Sequence, residues 1–348
     1  MELQEEPVIS QQTNIFIDDL LSYDSVLSSD KSSSSKYVLL NKVGRGSYCE
    51  VFKGYKRNAP KKILAIKIIS LFEKKPNELE LFRSEIEILK TYPNKFIIQY
   101  IDHMFVKKNI DNCKKDKIDI YKHAEYLVIV TEFMDKGDFR TIIKYHSAKK
   151  IHMSETFILD VFVQILIALR HLHTNNILHH DIKPANILLD KSGIIKIADL
   201  GFAQKYNHSV SGHVSQNYRG TPYYMAPEIW NRQIFGASAD IWALGVTLFE
   251  SMNLYRPFTG TDLETVKKAC VKGNVLYDFP LIYSHDLCTL CLRMLNVNQE
   301  RRITLDEILQ SNIIQTHIAN LIERFDSIPN LNIEIWGSTI AEFQSSIV

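Results

Sequence analysis

The sequence predicts a two-lobed α+β protein, with a small antiparallel β-sheet lobe carrying one main helix ahead of a larger, mostly helical lobe. Three observations carry that expectation. Short apolar strands occupy the first part of the chain: Tyr37-Val38-Leu39-Leu40, Val51-Phe52, Ile63 to Ile69 and Tyr126 to Thr131. One amphipathic helix lies among them, because Phe82, Ile86 and Leu89 fall at i, i+4 and i+7 and make a single apolar face. Further on, helical periodicity takes over, from Glu155 to His173 behind the cap Ser154 and again from Asp240 to Glu250.

At 348 residues, 45% hydrophobic and with a net charge of +1, the chain is long enough for such a body and too weakly basic for nucleic acid to be its main partner. Five scattered cysteines, with no secretory leader ahead of them, point to a reducing compartment. The expected location is the cytoplasm, with the nucleus left open. Cys288 and Cys291 invite a zinc reading, but they sit on an amphipathic helix over 286–295 with no second ligand pair nearby, so core packing is expected. No apolar run is read as long enough to span a membrane, and no membrane partner is expected. Residues 1–36 are polar and acidic and read as a disordered extension that could dock a regulatory partner. The basic stretch over 107–117 reads as a surface loop.

The chemistry concentrates in His179-His180-Asp181-Ile182-Lys183-Pro184-Ala185-Asn186, followed by Asp199-Leu200-Gly201. Between the two groups, 187–189 and 194–197 read as a hairpin turning at 190–193, which brings Asp181 and Asp199 to neighbouring strand ends. Asp181 is a carboxylate able to accept a proton from a hydroxyl, with Lys183 as a point charge beside it. Asn186 and Asp199 are hard oxygen ligands suited to Mg2+. Upstream, Gly44-Arg45-Gly46 lies between two strands, and Lys67 stands in the middle of an apolar strand, where its charge needs an anionic partner. Downstream come Gly220-Thr221-Pro222-Tyr223-Tyr224-Met225 and Ala226-Pro227-Glu228.

In that order and at that spacing the motifs resemble those of eukaryotic Ser/Thr protein kinases: a glycine-rich loop, a strand lysine, H-R-D-L-x-x-x-N, D-F-G and A-P-E. The resemblance covers roughly 37–312, with a small lobe over about 37–132, a large lobe over about 133–312 and an unassigned tail over 313–348. Lys183-Pro-Ala-Asn and Thr221-Pro-Tyr-Tyr-Met look somewhat like NimA-related kinases. Three positions depart from the family pattern: Cys49 for the third glycine, His180 for Arg and Leu200 for Phe.

The resemblance implies transfer of the γ-phosphate of Mg-ATP to Ser or Thr of protein substrates, with Asp181, Lys183, Lys67 and Glu85 as the catalytic group. Glu87 is the second candidate for the partner of Lys67. Asn186 and Asp199 would hold the metal. ATP would be bound by Val43, Gly44, Gly46, Val51, Ala65, Lys67, Glu132, Met134, Asp138 and Leu188, with Thr131 behind the adenine. The resemblance also implies a buried Glu228–Arg302 pair and an Asp240 that holds the catalytic-loop backbone. Because histidine is only partly charged near neutrality, His180 predicts a weaker need for phosphorylation at Ser209, Ser211, Ser215 or Thr221 than an arginine would impose, unless Lys205 or Arg219 takes over the anion. The alternative reading is a pseudokinase that binds partners without transferring phosphate; a small-molecule kinase comes third.

Overall fold

The computed structural model describes residues 36–45, 49–72, 74–106, 126–206, 220–273 and 278–326, with 321–326 by backbone alone. Gly46, the 107–117 stretch, Ser209, Ser211, Ser215 and Arg219 lie outside the described residues, as do residues 1–35. The chain divides into two compact units: one runs to Pro93 and resumes over Ile98–Met134, the other takes Asn94–Ile97 and everything from Asp135 on. The expected boundary at 132/133 thus falls at 134/135. Asn94–Ile97 joins the second unit because the Phe96 carbonyl accepts from Ile197 N at 2.8 Å and Ile97 bridges to Ile197.

In the first unit, β1 (Tyr37–Arg45), β2 (Cys49–Lys56), β3 (Ala59–Ser70), β4 (Tyr100–Val106) and β5 (Tyr126–Glu132) form one antiparallel sheet in the order β1-β2-β3-β5-β4, with helix α1 (Pro76–Thr91) between β3 and β4 in sequence. Side chains alternate across a strand, so β3 serves two faces. Leu64, Ile66 and Ile68 join Tyr37, Leu39, Phe52 and Val130 in one buried cluster. Ile69 joins Leu127, Ile129 and Ile86 of α1 in another. Lys67 shares the parity of Ile69, and so falls on the face that α1 covers. Gly54 has to be glycine: a Cβ there would lie 2.4 Å from the Val38 carbonyl oxygen and 2.6 Å from Ile66.

The second unit contains β6 (Gly137–Asp138), α2 (Phe139–Lys149), α3 (Glu155–Thr174), β7 (Ile177–Leu178), β8 (Ile187–Leu189), β9 (Ile195–Ile197), β10 (Gln204–Lys205), α4 (Pro227–Trp230), α5 (Ala237–Asn253), α6 (Leu263–Lys272), α7 (His285–Met294), α8 (Leu305–Gln310) and α9 (Asn312–Asp326). Ser154 caps α3 by accepting from Phe157 N at 3.2 Å. With 20 residues, α3 is long and apolar enough by length and composition to cross a membrane, which corrects the expectation that no run reaches that size. Its apolarity has a reason in this fold, since Ile158, Val161, Phe162, Ile165, Leu169 and Leu172 are all buried in the core of the unit.

The β8–β9 hairpin forms where expected. Asp190 Oδ1 closes its turn by accepting from Ser192 N at 2.8 Å and Ile194 N at 3.0 Å. Buried Gln164 of α3 fixes the hairpin in place, accepting from Ile195 N and donating to the Gly193 carbonyl. Helix α9 begins where the sequence reading stopped assigning structure. It packs through buried Ile314 and Ile318, and His317 Nε2 lies 2.8 Å from Asp160 Oδ1 of α3. Cys291 is buried in α7 and Cys288 partly so, and no metal-binding cluster of His, Cys, Asp or Glu occurs among the described residues.

Candidate active site

Two groups of polar residues stand out, one in each unit. In the first, Lys67 Nζ lies 2.9 and 3.3 Å from the two carboxylate oxygens of Glu85. Glu85 is only 3% exposed, whereas Glu87 points to solvent, so the geometry selects Glu85. Val51 is the cross-strand partner of Lys67 and of Gly44, and Ala65 pairs with Lys53 and Thr131. These residues are half-buried, and Val43 is 46% exposed. Cys49 opens β2 opposite Ile69 and packs on the cluster beneath α1, which gives its sulfur an apolar side. The unit ends at Glu132, whose Oε1 accepts from Gln99 N at 2.6 Å, and at buried Met134.

In the second unit the loop from His179 to Asn186 is held from behind. Asp240 of α5 is 1% exposed, and it accepts from the backbone N–H groups of His179 and His180, each at 2.9 Å, and from His173 Nε2 at 2.9 Å. Burial alone would oppose its charge. The His173 hydrogen bond and the imidazoles of His173, His180 and His179 nevertheless hold its carboxyl below the usual range. His179 is fully enclosed, and burial pushes its pKa down against the pull of Asp240, Asp181 and Asp199. His180 takes a left-handed backbone conformation at φ 64°, as Asp199 does at φ 60°. Such angles cost about 1–3 kcal/mol each in non-glycine residues and persist only where the surroundings impose them, as the Asp240 hydrogen bonds to the His179 and His180 N–H groups do around His180.

The loop places Asp181, 2% exposed, at the centre of a hydrogen-bonded set. Its Oδ2 accepts from Lys183 Nζ at 2.5 Å and from Asn186 Nδ2 at 3.0 Å. Its Oδ1 accepts from the Thr221 hydroxyl at 2.9 Å and from Thr221 N at 3.0 Å. Lys183 Nζ also reaches Thr221 Oγ1 at 2.6 Å, which closes a triangle of ammonium, carboxylate and alcohol. Gly220 makes this approach possible. It sits at φ +99°, and a Cβ there would come within 2.6 Å of the His180 carbonyl oxygen.

The sequence marked Thr221 within the 220–225 segment but not on the carboxylate, since nothing in the spacing ties Asp181 to a residue 40 positions away. It also gave no sign that Tyr206 is the partner of His180. The Tyr206 hydroxyl hydrogen-bonds His180 Nε2, and the imidazole meets Phe235 edge-on at 5.3 Å. Asp138 serves as the N-cap of α2, accepting from Thr141 N at 2.7 Å and Thr141 Oγ1 at 2.6 Å. Leu188 pairs with Lys196 and Asp138 in the small sheet of β6, β8 and β9, and Leu200 is fully buried behind Asp199. Glu228 and Arg302 form a buried bidentate pair, with contacts of 2.6 and 2.9 Å.

A strand lysine on a helix glutamate and a buried loop aspartate ringed by Lys, Asn and Thr agree with the sequence comparisons. The protein kinase domain family model matches residues 37–314. The chain belongs to that family. It is 33% identical over 254 residues to a putative serine/threonine-protein kinase A of Trypanosoma brucei brucei, covering 72% of this chain and 55% of that protein. To the serine/threonine-protein kinase Nek2 of Homo sapiens it is 29% identical over 320 residues, 90% of this chain and 66% of that one. The chain therefore spans between about half and two thirds of the length of these relatives. Its likeness to Nek2 agrees with the NimA-related features of the Lys-Pro-Ala-Asn and Thr-Pro-Tyr-Tyr-Met segments.

Proposed function

We propose that this chain transfers the γ-phosphate of ATP to serine and threonine hydroxyls of protein substrates. The observation that carries the reading is the Asp181–Lys183–Thr221 triangle. An alcohol already lies within hydrogen-bond distance of a buried carboxylate and an ammonium, which are the two contacts an acceptor hydroxyl needs. A substrate hydroxyl taking over those contacts would hand its proton to Asp181, while Lys183 offsets negative charge on the phosphoryl group in transit. Lys67, held by Glu85, is assigned to the α- and β-phosphates. The Glu132 carbonyl and the Met134 backbone are assigned to adenine, and Asp138 to the ribose.

The residues fit magnesium. The Asn186 side chain donates both of its hydrogen bonds from Nδ2, so its amide oxygen would be the atom to ligate the ion, together with a carboxylate oxygen of Asp199. Two protein ligands suffice, because Mg2+ keeps several waters and shares the phosphates of its nucleotide. When bound, the ion would neutralise charge on the β- and γ-phosphates.

The reading is tested with labelled γ-phosphate and peptide libraries carrying serine, threonine or tyrosine acceptors. Incorporation into serine and threonine peptides, well above tyrosine, is the expected result. Nucleotide binding without any transfer would reverse it in favour of the pseudokinase.

A further inference from the structure

Resting on the kinase reading above, we infer that Arg256 selects protein substrates that carry a carboxylate side chain within a few residues of the acceptor serine or threonine. The guanidinium carbon of Arg256 lies 3.7 Å over the ring centroid of Tyr223. Tyr223 is the middle residue of the short 3-10 turn Pro222–Tyr224, which directly follows the Thr221 that touches Asp181. At about 3.8 Å per residue, Tyr223 is within roughly 8 Å of chain from the group that contacts the base. Residues flanking an acceptor hydroxyl at Asp181 would pass the same turn.

Stacking occupies one face of a guanidinium and leaves its in-plane N–H donors available, which is the fork that binds a carboxylate. Among the described residues Arg256 has no ion-pair partner, and it is half-buried, within reach of a visiting peptide. The nearby acidic group is already engaged, since Glu250 Oε2 accepts from the Tyr224 hydroxyl at 2.5 Å. Burial raises the pKa of Glu250, against that hydrogen bond and the pull of Arg256 and Arg140. Arg140 lies 3.8 Å from Asp138, so part of its charge is matched there, whereas Arg256 has no carboxylate within 4 Å among the described residues. A lysine or arginine in the substrate would meet a guanidinium here rather than a carboxylate open to it.

The test uses the full chain and serine peptides that differ only by Ala, Glu or Lys at each of the three positions on either side of the acceptor. The wild-type protein should favour Glu over Lys by about tenfold in kcat/KM at one or more positions, mainly through KM. Arg256→Glu should invert that ranking and Arg256→Lys should keep its direction, with thermal melts confirming that both variants are folded. Transfer with no charge preference, or an unchanged ranking in Arg256→Glu, overturns the inference. Loss of the preference in Arg256→Lys as large as in Arg256→Glu would make Arg256 only a packing group for Tyr223 and overturns it too. Absence of transfer to every peptide by the wild type overturns the kinase reading itself, and this inference with it.

Discussion

Glu85 in the first unit and Glu228 in the second are both buried carboxylates facing a cation, and the manner of pairing separates them. Arg302 grips Glu228 with two nitrogens, spends further donors on the Ser238 and Asn296 carbonyls, and leaves neither side chain more than 2% exposed. Lys67 meets Glu85 as a point charge, and its side chain remains 21% exposed. A planar fork enclosed in this way locks a fold, whereas a rotatable ammonium with an open side can be shared with a phosphate. One pair therefore reads as architecture and the other as machinery.

Variants can break that distinction. Arg302→Met leaves Glu228 buried without its cation and should lower stability by about 3–5 kcal/mol, read by chemical denaturation. Protein that stays folded should keep a near-normal KM for ATP. Lys67→Met should act mainly on catalysis: transfer falls roughly 10²–10³-fold at saturating peptide, the scale of losing one preorganised charge contact, and stability falls by less than in Arg302→Met because the Lys67 side chain is 21% exposed rather than sealed. If both variants lost stability equally and activity equally, the two pairs would not differ in kind.

Acid should act through the buried histidines. Burial pushes His179 below the ordinary imidazole value, and burial together with Lys90 does the same to His103. In the unfolded chain both take up a proton as the pH falls through about 6.5, while the folded forms stay neutral until lower pH. The unfolded state then binds more protons, so stability declines below about pH 6.5, by at most about 1.4 kcal/mol per unit for each group. Denaturation curves from pH 7.5 to 5.5 should show this slope, and His179→Asn should flatten it. The smallest effect concerns His180, whose engagement with Tyr206 and Phe235 supplies contacts that a phosphate would otherwise have to organise. Phosphatase treatment should lower the transfer rate by less than about threefold, and near-total loss would contradict that role.

The fold was legible wherever local periodicity coincided with burial. The strand around Lys67, the capped helix behind Ser154 and the hairpin closed by Asp190 all stand where alternation and turn chemistry place them. Lys67 could be read as needing an anion because an unpaired charge inside an apolar strand is costly, and the helix register put Glu85 rather than Glu87 at the edge of the packed face. Contacts between residues far apart in sequence were not legible in the same way. Thr221 on Asp181 and Tyr206 on His180 depend on loops folding back, and no local signal records that. The apolar length of α3 was read too short: a helix buried on several sides reaches the length and composition of a membrane span. Helix α9 was missed for a related reason: its cue is burial of Ile314 and Ile318 against α3, not a motif.

The most direct test pairs two readings on Asp181→Asn, the rate of γ-phosphate transfer to a serine peptide and the affinity for Mg-ATP. Asparagine keeps the shape of the site but cannot take the acceptor's proton, so transfer should fall by about 10²–10⁴-fold with nucleotide affinity and melting temperature little changed. Transfer at the wild-type rate in that variant would contradict the account.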